Sequence, residues 1–235
     1  MTSIVQPSGA IVVGASGGIG GALAEALRRG GQFAWVEGLS RSGEPRLDLT
    51  DEASIAAAAE RAAARGPVGL VLVATGLLHA PGLQPEKTWR SLDADALVEA
   101  YRANAVGPAL VAKHFLPLLP RRGKAVFAAL SARVGSIGDN RTGGWYAYRA
   151  SKAALNMLLR TLAIELARSR PEAVCAGLHP GTVDTGLSRP FQANVAEGKL
   201  FAPALAAAHL LDVIEGLTSA DSGGLFAWDG TPIPY

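Results

Sequence analysis

The stretch IVVGASGGIGGALAEALRRG, residues 11–30, decides the fold. A short apolar run passes into a glycine-rich turn and then into a segment of helical period. Gly14, Gly18 and Gly20 stand in the spacing G-x-x-x-G-x-G. Without Cβ atoms the backbone can turn sharply there and come close to a pyrophosphate, and the free N–H groups at the start of the next helix favour an anion. A chain with 28 glycines offers chance matches, so the motif takes its weight from the strand before it and the helix after it. A tight structural turn without a ligand is the plainer alternative.

Outward from that turn, short apolar runs alternate with longer segments of helical period, the pattern of a parallel sheet built from βαβ units. Strands are predicted at Ala10–Gly14, Phe33–Ser40, Val68–Thr75, Lys124–Ser131, Ala173–His179 and Gly224–Trp228, with RLDL (46–49) as a short addition. Helices are predicted at Gly18–Arg29, Asp51–Arg65, Ala94–Leu119, Trp145–Arg168 and Pro203–Thr218, the second capped by Thr50. Pro81–Thr88 and Gly186–Leu200 read as loops or lids. The expected architecture is one α/β domain over 1–235, doubly wound, with a mostly parallel sheet of about seven strands and helices on both faces.

Composition narrows the function classes. With 49% hydrophobic and 18% charged residues, the chain is a globular one that can bury a sizeable core. A net charge of +2 from scattered basic residues argues against a nucleic-acid partner, which needs a concentrated basic face. No apolar run reaches the roughly 18 residues of a membrane span, and no charged-then-apolar leader opens the sequence, so a cytoplasmic location without membrane contact is expected. The one cysteine, Cys175, lies in the apolar run AVCAGL and reads as a buried structural thiol. The histidines lack ligand spacing, and no metal is expected.

Two places carry chemistry. The second strand ends at Ser40-Arg41 with no Asp or Glu, where a carboxylate would serve ribose hydroxyls and a guanidinium would serve a 2′-phosphate. This favours NADP(H), with NAD(H) as the alternative. The fourth strand ends at Ser131, near the carboxyl edge where such sheets bind ligands. Tyr148 follows, with Lys152 four residues on. Four helical residues advance roughly 400°, so the two side chains share a face, whereas Tyr146 stands about 120° away from the lysine. An ammonium beside a phenol favours the phenolate and lowers a pKa that is ordinarily near ~10. A serine hydroxyl across a substrate can polarise a carbonyl oxygen.

GASGGIG, YRANAVG, FAALSA, YRASK and HPGTVDT, in this order, resemble the short-chain dehydrogenase/reductase family over almost the whole chain, with a Rossmann-type fold and closest in look to its C-factor-like or sniffer-like carbonyl reductases. The resemblance implies an NADP(H)-dependent oxidoreductase that moves a hydride between the nicotinamide and a carbonyl or secondary alcohol. Tyr148 is then the acid/base, Ser131 orients substrate, Lys152 tunes the phenol and binds ribose, and Asn104 holds a water in the relay to that lysine. Gly14, Ser16, Gly18, Ile19 and Gly20 would cradle the pyrophosphate. Ser40 and Arg41 would take the 2′-phosphate, while Asp48 and Leu49 would face the adenine. Ala74, Thr75 and Gly76 would line the cofactor, and Pro180, Gly181, Thr182, Val183 and Thr185 the nicotinamide, with 185–200 as the substrate lid.

The chain also departs from the family pattern. Val13 replaces a threonine, Val73-Ala74-Thr75-Gly76 replaces Asn-Asn-Ala-Gly, the Arg41–Asp48 link has no room for a helix, and the Ser131–Tyr148 gap is long. Trp145, Ile137, Phe191 and Trp228 are candidates for an apolar pocket. A homodimer or homotetramer is implied, packed through Ala94–Leu119 and Trp145–Arg168. The alternative in another class is a C-factor-like regulator that binds NAD(P) with little turnover.

Overall fold

The computed structural model describes residues 3–235. Its main sheet has six strands: β1 (Gly9–Val13), β2 (Trp35–Leu39), β3 (Val68–Val73), β4 (Val126–Leu130), β5 (Val174–His179) and β8 (Leu225–Ala227). Two short strands, β6 (Thr182–Val183) and β7 (Leu200–Phe201), form a separate parallel pair. The order β2-β1-β3-β4-β5-β8 is parallel throughout, and the chain reverses its direction of travel between β1 and β3. Such a switch leaves a crevice at the carboxyl ends of the central strands. The sheet is one strand short of the sequence expectation, because RLDL contributes only a single bridge, Arg46 to Ser40.

Among the described residues six α-helices flank the sheet. α1 (Gly18–Gly30) and α6 (Pro203–Gly216) lie on one side, and α2 (Glu52–Ala64), α4 (Gly107–Phe115) and α5 (Tyr146–Ala167) on the other, with α3 (Ala94–Tyr101) beside α5. Strand residues alternate between the two layers, as a period of two requires. Ile11, Val13, Val71, Val73 and Phe127 meet Ile55, Phe115, Leu155 and Leu159, while Val12, Leu70, Leu72 and Val126 meet Leu23, Leu27, Leu210 and Ile214. Each such side chain fully buried contributes about 1.5–3 kcal/mol of transfer energy. Both strand faces are thus apolar, the mark of a sheet covered on both sides.

Local chemistry explains two differences from expectation. The helix expected over Ala94–Leu119 is broken by a π turn at Arg102–Val106, where the Gly107 N–H reaches back to the Arg102 carbonyl. Pro108 lacks the N–H that would continue the ordinary ladder, so the register shifts by one residue. The cap of α2 is Asp51, whose carboxylate accepts from the Ala53 and Ser54 N–H groups, rather than Thr50. The Thr50 hydroxyl donates instead to Asp48 Oδ1 at 2.8 Å.

The β8 edge of the sheet is finished, and the face of β2 is held by α2. After β8 the chain doubles back, with the Ala227 N–H donating to the Thr231 carbonyl and the Ile233 N–H to the Leu225 carbonyl. On β2, the Arg65 guanidinium stacks over Trp35 at 4.2 Å and pairs with Glu37 at 3.1 Å. Among the described residues no helix is long and apolar enough to cross a membrane.

Candidate active site

The β1–α1 turn is built as its glycines require. Gly14 has φ +90°, and a Cβ on Gly20 would stand 2.2 Å from the Gly14 carbonyl oxygen, so neither position admits a side chain. α1 begins without a side-chain cap and with no acidic residue in its first turn, which leaves its N–H groups and positive end facing the crevice. A Cβ on Gly18 would lie 2.8 Å from Thr185 Cγ2, so the turn and the Pro180–Thr185 segment meet. Ile19 packs in one cluster with Val183, Phe201 and Trp228. Ser16 is exposed at the same turn.

The β3 end supplies a second wall. Thr75 Oγ1 is buried without a hydrogen-bond partner, an orphaned polar atom beside the glycine turn: a Cβ on Gly14 would meet Thr75 Cγ2 at 2.8 Å and the Ala74 carbonyl oxygen at 2.8 Å. A Cβ on Gly76 would be 3.8 Å from both Asn104 Oδ1 and Lys152 Nζ. That single point therefore joins the sheet edge, the π turn and α5. An uncapped helix start, a close glycine cradle and an unpaired hydroxyl suit an extended phosphate-bearing dinucleotide.

Asn104 is fully buried inside the π turn. Its amide donates to the Leu77 carbonyl at 2.8 Å and to Ser151 Oγ at 3.0 Å, and its oxygen accepts from the Leu77 N–H at 2.7 Å. Ser151 in turn donates to the Tyr148 carbonyl at 2.8 Å. Ser131, just past β4, donates its hydroxyl to Asn156 Oδ1 at 2.6 Å, on the same helix as Tyr148 and Lys152. Ser151 and Asn156 were not singled out from sequence, although Asn156 stands four residues after Lys152 and Ser151 three after Tyr148, the spacings of a shared helix face.

Lys152 Nζ lies 5.8 Å from the centre of the Tyr148 ring and donates to the Leu130 carbonyl at 2.7 Å. The expectation that the lysine lowers the phenol pKa does not describe this state of the protein. Burial pushes the Tyr148 phenol up to about 12 and the Lys152 ammonium down to about 7. Desolvation opposes the charged form of each group, and a lysine that is half neutral near pH 7 has little charge to offer the phenol.

The approach to α5 accounts for the long Ser131–Tyr148 gap. Gly143, Gly144 and Trp145 are all left-handed, at φ 62°, 66° and 52°. Arg149 clamps this path, its Nε donating to the Gly143 and Gly144 carbonyls at 3.2 and 2.9 Å and its Nη2 to Thr142 Oγ1 at 2.7 Å. The turn carries the Trp145 indole edge-on to Tyr148, with ring centres 6.3 Å apart, and against Phe191 at 5.1 Å. Leu78, Val134 and Leu187 complete this apolar cluster. Of the four pocket candidates, Trp145 and Phe191 are here. Ile137 is 77% exposed, and Trp228 packs against Phe201 and His209 instead.

The lid expected at 185–200 contains a 3-10 turn, Arg189–Asn194, and is tied at its base by the β6–β7 pair. Ser188 Oγ donates to the Val183 carbonyl, and His79 Nε2 donates to the Gly186 carbonyl at 3.1 Å. His179, at the end of β5, is held neutral by burial, its pKa pushed down to about 4.

At the other end of the crevice, Ser40 is buried at the tip of β2, and Arg41 is exposed with no ion pair or side-chain hydrogen bond among the described residues. Asp48 accepts from the Thr50 N–H and hydroxyl and from Arg46 Nη2, which together bring its carboxyl down to about 2. Leu49 packs against Gly107 at the start of α4: a Cβ there would stand 2.7 Å from Leu49 Cβ.

Comparisons with known proteins identify relatives of this chain. A family model described as short chain dehydrogenase matches residues 8–196. The chain is 32% identical over 231 residues to the 1-hydroxy-2-glutathionyl-2-methyl-3-butene dehydrogenase of a Rhodococcus species, covering 94% of this chain and 96% of that one. It is 38% identical over 140 residues to the C-signal protein of Myxococcus xanthus, covering 59% of this chain and 78% of the relative. Among solved structures, the NADPH-bound carbonyl reductase from chicken fatty liver matches with a TM-score of 0.84 at 25% identity, covering 100% of this chain and 96% of that one.

Proposed function

We propose, for a chain that belongs to the short-chain dehydrogenase family, an oxidoreductase that interconverts a carbonyl and a secondary alcohol with NADP(H) as cofactor. The observation that carries this reading is that Asn104, from a π turn, and Ser131, from a strand end, are both hydrogen-bonded to the helix that carries Tyr148 and Lys152. The preference for NADP(H) over NAD(H) rests on the unpaired Arg41 and on the cofactor of the chicken reductase.

The glycine turn and the first N–H groups of α1 would hold the pyrophosphate, Arg41 the 2′-phosphate, and Thr75 and the Pro180–Thr185 segment the nicotinamide end. NADPH, when held there, would supply the hydride for the carbonyl carbon. Tyr148 delivers its phenolic proton to the carbonyl oxygen as negative charge develops there. The Ser131 hydroxyl turns from Asn156 to donate to the same oxygen. Lys152, with its pKa brought to about 7, is able to return a proton to Tyr148 at neutral pH, and Asn104 fixes the backbone beside it. Leu78, Trp145, Leu187 and Phe191 would receive an apolar or aromatic group next to the carbonyl.

The test is NADPH oxidation over a panel of aldehydes, ketones and quinones, with Tyr148→Phe and Tyr146→Phe beside the wild type. Loss of at least about 10²-fold in kcat for Tyr148→Phe, with NADPH binding retained and Tyr146→Phe active, is expected. A fully active Tyr148→Phe protein would overturn the assignment. A regulatory role is the second reading, favoured by the similarity to C-signal. Tight NADPH binding with no turnover on any substrate would support it. Apolar groups left exposed on α3 and α5, among them Tyr101, Met157 and Ile164, suit a homodimer or homotetramer packed through these helices. A cytoplasmic location completes the reading.

A further inference from the structure

We propose that Glu86 is a positioning residue: it caps the helix that carries Tyr148 and Lys152 and holds the left-handed turn in front of it. The inference rests on the reading of Tyr148 as the acid/base. Among the described residues four charged side chains are buried, namely Asp48, Glu86, Lys124 and Lys152. Asp48 is bound within its own loop, Lys124 donates to the Glu215 carbonyl, and Lys152 belongs to the site. Glu86 is the one that reaches from outside the site to the helix carrying Tyr148.

Its contacts are specific. α5 is 22 residues long, yet its cap position is Trp145, which offers no side-chain hydrogen bond, and its first turn has no acid. A helix of that length leaves several N–H groups and a positive end without a partner. Glu86, 61 residues earlier in the chain, supplies what is missing: its carboxylate oxygens accept from the Ala147 N–H at 3.4 and 3.2 Å. Its backbone carbonyl accepts from the Trp145 N–H. One residue thereby grips the chain on both sides of Tyr146.

The consequence falls on Tyr148, which stands one residue after Ala147. Trp145 occupies a backbone region that is strained for a non-glycine residue, and the Glu86 carbonyl is what ties its N–H in place. Leu77, Leu83, Glu86, Ala147 and Tyr148 enclose a cavity of only ≈ 10 Å³, room for about one water, so bulk solvent does not substitute for the carboxylate. Without Glu86 the first turn of α5 is free to fray, and with it go both the phenol and the indole that packs on it.

The experiment compares Glu86→Ala and Glu86→Gln with wild type in the NADPH-loaded protein, reading kcat, KM, NADPH affinity and amide hydrogen exchange at Ala147 and Tyr148. Glu86→Ala is expected to lower kcat by roughly 10²-fold, the cost of an ångström-scale misplacement, with NADPH affinity little changed and exchange in the first turn of α5 faster. Glu86→Gln keeps an acceptor oxygen at the same reach and should restore most of the turnover and the slow exchange. Wild-type kcat in Glu86→Ala, unchanged exchange in it, or a Glu86→Gln protein as impaired as the alanine variant would overturn the proposal. If Glu86→Ala does not fold, Glu86→Gln decides alone: near-normal kcat supports the proposal and loss of kcat overturns it. Failure of the reaction reading appears differently, as no wild-type turnover or an active Tyr148→Phe protein, and hydrogen exchange still tests the cap in that case.

Discussion

Around Tyr148 and Lys152 nearly every polar group is buried and already bonded to the chain itself, whereas at the Ser40–Asp48 end the guanidinium of Arg41 stands in solvent without a partner. The proton-handling end is therefore shaped before any ligand arrives. The end proposed for the 2′-phosphate instead leaves its guanidinium open to solvent. A buried group owes its properties to desolvation, and an exposed one to the charge it meets. Substitutions at the first end should accordingly change kcat and the pH response, and those at the second should change cofactor affinity and selectivity.

The largest effect is expected at Lys152. Lys152→Met should reduce kcat by about 10²-fold or more, measured by NADPH oxidation under saturating substrate. It should also alter stability in a pH-dependent way. The lysine pKa falls from 10.5 in the unfolded chain to about 7 in the fold, so between these values the unfolded chain binds more protons. The stability of the cofactor-free wild type therefore rises with pH across that window through this group, and is lost again as pH falls towards about 7. Thermal melting between pH 7 and 10 should show that rise flattened in Lys152→Met. An unchanged slope would mean that the lysine is not desolvated as described.

A smaller effect is expected at the exposed end. Arg41→Ala should raise KM for NADPH roughly tenfold and leave KM for NADH unchanged, because a charge-assisted contact to one phosphate is lost and nothing inside the fold depends on the side chain. Equal effects on both cofactors would instead make Arg41 a structural residue, and the contrast between the two ends would shrink.

The smallest effect is assigned to Asp48, which sits between the two regimes. Its carboxyl is brought from 3.8 to about 2 by the Thr50 and Arg46 hydrogen bonds. The stability it contributes is fully present above pH 3.8 and is lost as pH falls through about 2. Asp48→Asn should lower the urea midpoint slightly at pH 5, and the gap from wild type should close on acidification. A gap that persists at pH 2 would point to packing rather than ionisation.

Much of this contrast was legible in the sequence. The β1–α1 turn follows from three glycines at fixed spacing, and the shared face of Tyr148 and Lys152 from four residues of helix. Both depend on neighbours in the chain, which sequence spacing reports directly. Asn104 was found only through resemblance, since nothing local marks a polar residue whose partners are Leu77 and Ser151. Glu86 was not found at all, because the Ala147 N–H that its carboxylate accepts from lies 61 residues away and belongs to the backbone, which every sequence supplies. The cap of α2 was misplaced by one residue because Thr50 and Asp51 are both competent caps, and Asp48 claims the hydroxyl of one of them. Trp228, a candidate for the apolar pocket, packs against Phe201 and His209 instead, since an aromatic residue's neighbours depend on tertiary packing. The upward pull of burial on the Tyr148 phenol was missed for the same reason: proximity in sequence suggests a charge effect, and only the fold reveals how little water remains.

The finished β8 edge has a further consequence. An open strand edge is a template on which any other extended chain can continue the ladder, including a partly unfolded copy of the same protein. Here the 231–233 segment occupies the hydrogen-bonding positions beside β8, so that edge offers no ladder for another chain to extend.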